Sequence, residues 1–296
     1  KQKTAYEIRN CDWSSDVCSS DLFNMLATSR PSYFLALRTN DWTTHENPKY
    51  RLTKVKRALF IEHDHVTLSG PLWRAFKNRG YEVVRMPVVK AENFETPNVQ
   101  VEWPDFSEYE VIVPMGSPWG VWEDERIGNW LLPELERVTA SHNAGQPIFG
   151  VCFGGQLMAR ALGGSVSRAP RSEIGWHYVM TDYPEIIPNG PWFQYHWDRF
   201  TVPPGATELA RSPIAPQAFV MGRTLGLQFH PEIDLEVLDC WLEMDGGPEE
   251  IEGEGLDVEI LRQQTKAEEA GANARAQALV DYFLDHIATA EIKKIG

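Results

Sequence analysis

The sequence predicts an α/β fold: three layers, with a doubly wound, mostly parallel sheet between helices. Two observations lead there. Short β-rich runs alternate with helix-like stretches from Arg57 to Val151, and the residues that could carry chemistry fall just beyond the ends of such runs. Ligands of open parallel sheets gather at those carboxyl ends.

The elements follow in order. Arg57 to Glu62 (RALFIE) is a short apolar run, and Pro71 to Arg79 reads as a helix stopped by Gly80. Tyr81 to Pro87 is a second strand and Glu110 to Met115 (EVIVPM) a third. A turn and a helix-like stretch from about Ile127 to Asn143 lead to a fourth strand, Gln146 to Val151 (QPIFGV). After Ser165 the β-like pieces shorten to Gly175–Thr181, Gln217–Met221 and Thr224–Phe229, with Pro and Gly turns between. They either extend the sheet or form a small antiparallel layer. Pro248 to Gly255 is acidic and Gly-rich and reads as a solvated linker. In the Ala- and Glu-rich segment that follows, from Leu256 to Ala288, Leu279, Val280, Phe283, Leu284 and Ile287 have the spacing of an amphipathic helix.

Composition narrows the function classes. A net charge of −14 over 296 residues offers no basic surface to a phosphate backbone, so nucleic acid is not an expected partner. No stretch approaches the roughly 20 apolar residues that span a bilayer. The N-terminus also lacks a secretory pattern, so a cytoplasmic location is expected and membrane association is not. Lys1 to Ile8 and Asp12 to Leu22 read as translated sequencing-library adapter, in adapter order, with the few residues between them as the sample index. They are set aside from fold reasoning together with the polar, turn-rich arm at 23–54. Cys11, Cys18, Cys152 and Cys240 match neither a metal cluster nor a disulfide framework.

Gly150-Val151-Cys152-Phe153-Gly154-Gly155-Gln156 is the strongest local signal, a reactive residue framed by glycines between a strand and a helical run. A sharp strand-to-helix turn leaves no room for neighbouring Cβ atoms. It lifts the sulfur above the sheet beside a helix N-terminus and aims backbone N–H groups, Phe153 first, at a developing oxyanion. Taken alone, Cys152 could equally be a small buried hydrophobe. A second signal balances that reading. Leu225 to Phe229 (LGLQF) runs into His230-Pro231-Glu232, where residues two apart share a side. Glu232 can then fix the imidazole tautomer while the other ring nitrogen takes the thiol proton, which is triad logic with cysteine as nucleophile.

Together, Gly150 to Gln156 and His230 to Glu232 resemble the two hallmark motifs of class I glutamine amidotransferases, at the family's spacing. The resemblance implies a flavodoxin-like fold over 55–245, flanked by the adapter-like segment and arm (1–54) and by an acidic linker with a C-terminal helical segment (246–296). It implies that Cys152, His230 and Glu232 are catalytic. Val113 to Pro118 stands at the turn that supplies a second oxyanion donor, from Gly116 or Ser117. Gln156 falls on a substrate-holding glutamine, and Gln194 to Asp198 resembles a substrate loop that includes Tyr195, His196 and Trp197. Phe200 to Ser212 is similar to stand-alone members resembling the glutaminase domain of GMP synthase. Ser117 and Trp197 replace usual glycines, and Trp197 could reshape the pocket.

Trp119, Trp122, Trp176, Trp192 and Trp197 crowd the segments expected to border the site, as packing or as a substrate wall. His63 and His65, within Glu62 to His65 (EHDH), are expected to be loop residues rather than metal ligands. His177 is expected to be an ordinary histidine, and Cys240 to be buried and inert. No cofactor is implied. Three functions remain open. The first is glutamine hydrolysis through a γ-glutamyl thioester on Cys152, with ammonia passed to a separate synthetase subunit because the stretch after Glu232 is too short to activate an acceptor. The second is a γ-glutamyl peptidase or hydrolase with water as acceptor, and the third a silent binding domain.

Overall fold

The structure is a computed structural model and describes residues 55–244 and 246–291. The adapter-like segment and the arm at 1–54 lie outside the described residues.

The predicted alternation becomes a doubly wound sheet. Strand β1 (Lys56–Glu62) leads through helix α1 (Gly70–Asn78) to β2 (Tyr81–Pro87), its parallel neighbour. On the other side of β1 lies β3 (Val111–Pro114), followed by α2 (Asp124–Asn143), β4 (Ile148–Val151) and α3 (Phe153–Ala161). β10 (Thr224–Leu227) runs parallel to β4, with Leu227 opposite Val151. The parallel part therefore has the order β2-β1-β3-β4-β10, the flavodoxin-like winding. Both alternatives for the later β pieces are realised. β9 (Pro216–Met221), β8 (Thr207–Arg211) and β6 (Met180–Thr181) extend the sheet antiparallel, whereas β5 (Val166–Tyr178) and β7 (Pro191–Phe200) form a separate two-stranded ribbon.

Side-chain alternation on the buried strands explains the three layers. Ala58 and Phe60 of β1, Val113 of β3 and Phe149 of β4 face one cluster with Phe76 of α1. Leu59, Ile61, Ile112 and Ile148 face the opposite cluster with Trp130 of α2 and Leu157 of α3. A strand apolar on both faces needs a cover on each, which is why these short runs carry so few polar residues. The helix α6 (Val258–Tyr282), with a π-helical turn at Phe283–Ile287, packs beside α1. Leu279, Val280, Phe283, Leu284 and Ile287 are all buried in the first cluster, as their spacing predicts.

The segment read as a solvated linker is different. Gly247–Gly253 forms a short helix, α5, between α4 (Leu235–Leu242) and α6, and Ile251 is buried with Phe193, Leu238 and Leu261. One isoleucine among acids and glycines carries little periodic signal, yet it anchors the segment. Cys240, expected to be buried, is half-buried on α4. No helix among the described residues is long and apolar enough to cross a membrane.

Candidate active site

Three neighbouring strands, β3, β4 and β10, deliver the site at their carboxyl ends. Cys152 follows β4 directly with φ 50° and ψ −104°, the one non-glycine residue with positive φ among the described residues. Such a conformation costs on the order of 1–3 kcal/mol and persists only where the surroundings enforce it. Here they do. The Cys152 N–H donates to Leu227 O of β10 (2.9 Å), its carbonyl accepts from Gln156 N–H (2.9 Å), and Gly154 N–H donates to Met115 O just past β3 (3.0 Å). The glycines let the helix seat this deeply, since a Cβ on Gly154 would lie 2.0 Å from Pro114 O and one on Gly155 2.1 Å from Leu227 O.

Past β10, the His230 N–H donates to Phe193 O of β7 (2.9 Å), and the His230 Nδ1–H donates to Glu232 Oε1 (2.7 Å). Nε2 is left without a hydrogen-bond partner among the described residues. Burial pulls the imidazole down, but the Glu232 carboxylate and Cys152 outweigh it, and its pKa stands well above the ordinary value. All three side chains are shielded, at 7%, 3% and 0% exposure for Cys152, His230 and Glu232. A thiol, an imidazole and a carboxylate shielded together are the groups that cysteine nucleophilic catalysis uses: nucleophile, base and the acceptor that orients the base.

Two backbone segments border Cys152 and His230. Phe153 is the first residue of α3, where helix geometry gives the N–H no intrahelical acceptor. Gly116, just past β3, lies against the imidazole, since a Cβ there would sit 3.5 Å from His230 Cε1. Ser117 accepts from the Trp119 N–H through Oγ (3.2 Å), which keeps the turn closed with serine in a usual glycine position.

The remaining expected contacts divide. Gln156 is buried, and its Nε2 donates to Gln228 Oε1 (3.2 Å), whose own Nε2 lies 3.8 Å from Cys152 Sγ. Tyr195, His196 and Trp197 belong to strand β7 rather than to a loop, because alternating aromatic and polar residues favour a paired ribbon. Their faces separate. Tyr195 and Trp197 make a wall with Trp241 of α4, which also stands edge-on to His230 at 5.1 Å. His196 points to the opposite face, its Nδ1–H donating to Asp198 O (2.9 Å) and its Nε2 beside the Gln194 amide (3.1 Å), and burial drops its pKa to about 3, so it is neutral. The acidic helix α5 fixes the wall. The Tyr195 hydroxyl donates to Glu250 (2.8 Å) and the Trp197 Nε1–H to Glu254 (2.8 Å). Burial first, then Glu250, raises the Tyr195 pKa, so the phenol stays protonated. No group of three or more His, Cys, Asp or Glu among the described residues could hold a metal ion.

Comparison with known proteins decides the family. The profile described as Glutamine amidotransferase class-I matches residues 73–241, from α1 to α4. The chain belongs to the class I glutamine amidotransferases. Curated relatives include the glutamine-hydrolyzing GMP synthases of Aeropyrum pernix, 37% identical over 147 residues, and of Thermus thermophilus, 33% identical over 140 residues. These alignments cover 45% and 41% of this chain, and the chain spans only 26% and 27% of those relatives' length. Among solved structures, a glutamine amidotransferase from Thermotoga maritima superposes with a TM-score of 0.68 at 26% identity, covering 79% of this chain and all of its own. A glutamine amidotransferase from Methylobacillus flagellatus (TM-score 0.62, 23% identity, 81% and 98% covered) shares the fold.

In this class I glutamine amidotransferase, several site residues escape sequence reasoning. Gln228 and Trp241 border Cys152 and His230. The signal that could have found Trp241 is its helical spacing from Val237, whereas Gln228 carries no local signal. Of the tryptophans expected to border the site, Trp119 and Trp192 are core, and Trp122 is exposed at 46% with Nε1–H on Asp198 (2.8 Å). His63 lies in the bend after β1, as expected, and is fully buried there, bonded to Gly116 O and Glu134.

Proposed function

We propose that this chain hydrolyses the side-chain amide of glutamine through a γ-glutamyl thioester on Cys152, releasing ammonia. The carrying observation is the strained Cys152 turn set between the β3 turn and the His230–Glu232 pair. The thiolate attacks the side-chain carbonyl carbon, and the N–H groups of Phe153 and of the Gly116–Ser117 turn stabilise the oxyanion. As the C–N bond breaks, the His230 imidazolium protonates the departing ammonia and the thioester forms. His230, now neutral, takes a proton from water, the hydroxide attacks the thioester, and glutamate leaves as the thiolate is restored. Glu232 holds the imidazole tautomer throughout. Gln156 and the Tyr195–Trp197 wall bound the substrate. The glutamine-hydrolyzing relatives support this reading, and ammonia then passes to an acceptor on a separate synthetase subunit.

A second reading, a γ-glutamyl peptidase or hydrolase with water as acceptor, is favoured by Trp197. With Tyr195 and Trp241 it offers aromatic surface for a group beyond the glutamyl moiety. Ammonia and glutamate release from glutamine, measured beside a panel of γ-glutamyl peptides, separates the two. Glutamine turnover is the expected result. Activity on peptides alone makes it a γ-glutamyl hydrolase, and failure on both points to a missing partner or a binding role. Glu232→Gln is expected to remain roughly 10²-fold more active than a variant without the nucleophile, since the orienting member of a triad is the least costly to lose. Steady-state kcat for both variants checks this, and an undiminished Glu232→Gln rate contradicts the role given to Glu232.

A further inference from the structure

We infer that His63, held by Glu134, is a positioning residue that fixes the oxyanion turn at Gly116. The inference rests on the reading above and deepens it. His63 lies just past β1, yet its ring is fully buried between the two backbone-donor segments. Nδ1–H donates to Gly116 O at 2.9 Å, and Nε2 faces the Glu134 carboxylate at 3.2 and 3.3 Å. The ring also lies 4.5 Å from the Phe153 ring and stacks on Trp130 at 5.5 Å. One imidazole thus touches both Gly116 and Phe153.

The arrangement has a directional consequence. A peptide plane whose carbonyl is gripped cannot rotate, so holding Gly116 O fixes the following N–H, that of Ser117. Residues 116–118 lack the strand pairing that orients backbone elsewhere, because β3 ends at Pro114. Serine in place of the usual glycine narrows the choice of backbone states but does not select one. Glu134 also has a clear part. A buried carboxylate needs a partner, and a buried imidazole facing two acceptors needs both ring protons. Burial lowers the His63 pKa, but Glu134 and the bond to Gly116 O raise it further, and the net shift is upward.

Two substitutions separate the ends of the ring. In His63→Asn the amide nitrogen falls near Nδ1 and keeps the donor to Gly116; in His63→Gln it falls near Nε2 and keeps only the Glu134 side. We expect His63→Gln to lower kcat at least about 10-fold and His63→Asn to stay within about three-fold of wild type, both with KM within about two-fold. Both are repeated with Glu134→Gln, which removes the stranded carboxylate if either variant folds poorly. Alkylation of Cys152 by iodoacetamide needs the thiolate but no oxyanion hole, so its rate should not change. Hydrolysis of p-nitrophenyl acetate, which uses the same donors without a glutamyl group, should repeat the kcat order. An ester result in the expected order, with no γ-glutamyl turnover by wild type, supports His63 while rejecting the substrate. Equal losses in both variants, or alkylation falling in step with turnover, overturn the inference, because His63 then serves general packing or the nucleophile.

Discussion

Replacing Cys152 with alanine is expected to lower kcat by about 10⁴-fold or more while leaving the fold intact. The magnitude follows from removing the group that forms the covalent intermediate, since the oxyanion donors alone retain only a residual acceleration. Intactness follows from the size of the change. A single sulfur is lost from a position whose neighbours are fixed by backbone bonds to Leu227, Gln156 and Met115. A companion variant tests the strain. Alanine keeps the penalty of φ 50°, whereas Cys152→Gly relieves it and should be more stable than Cys152→Ala by about 1 kcal/mol, after allowing for glycine's greater freedom when unfolded. Chemical denaturation of the two variants measures the difference. Wild-type turnover in Cys152→Ala removes the mechanism, and a glycine variant less stable than the alanine variant removes the claim of strain.

Gly155→Ala is expected to cost about 3 kcal/mol and to reduce kcat at least about 10²-fold in the protein that still folds. The new Cβ would stand 2.1 Å from Leu227 O, in the strand that leads to His230. A flexible side chain could swing away, but this obstacle is the backbone of β10, so the first turn of α3 must lift instead. Lifting it moves Phe153 N–H and the sulfur relative to His230, and a displacement near 1 Å is enough for a loss of about 10²-fold. Denaturant unfolding and kcat per alkylatable thiol check the two effects separately. A variant with wild-type stability and rate would show that α3 does not depend on this close approach.

The legible and illegible parts of the chain differ in physical kind. The parallel strands were readable because each is buried on both faces and so appears as an unbroken apolar run. The Cys152 turn and His230–Glu232 were readable because local geometry demands those residue types in sequence: glycines where a Cβ would meet a carbonyl, and a two-residue spacing where two side chains must share a face. The rest depends on partners far along the chain. His63 pairs with a glutamate 71 positions away, and nothing in EHDH distinguishes that from a loop. Pro248 to Gly255 reads as linker because its composition is solvating, and only the fit of Ile251 and the hold of Glu250 on Tyr195 tie it to the fold. Around Tyr195 the family resemblance implies a loop, whereas the alternating aromatics favour the strand that forms.

The central claim is a covalent γ-glutamyl group on Cys152, and it is tested most directly by rapid acid quenching of the chain during glutamine turnover, followed by intact mass and peptide mapping. A fraction of the protein should be heavier by one glutamyl group, localised to the peptide containing Cys152 and absent from Cys152→Ala. Turnover with no adduct on that peptide, or an adduct carried by another residue and retained in Cys152→Ala, would contradict it.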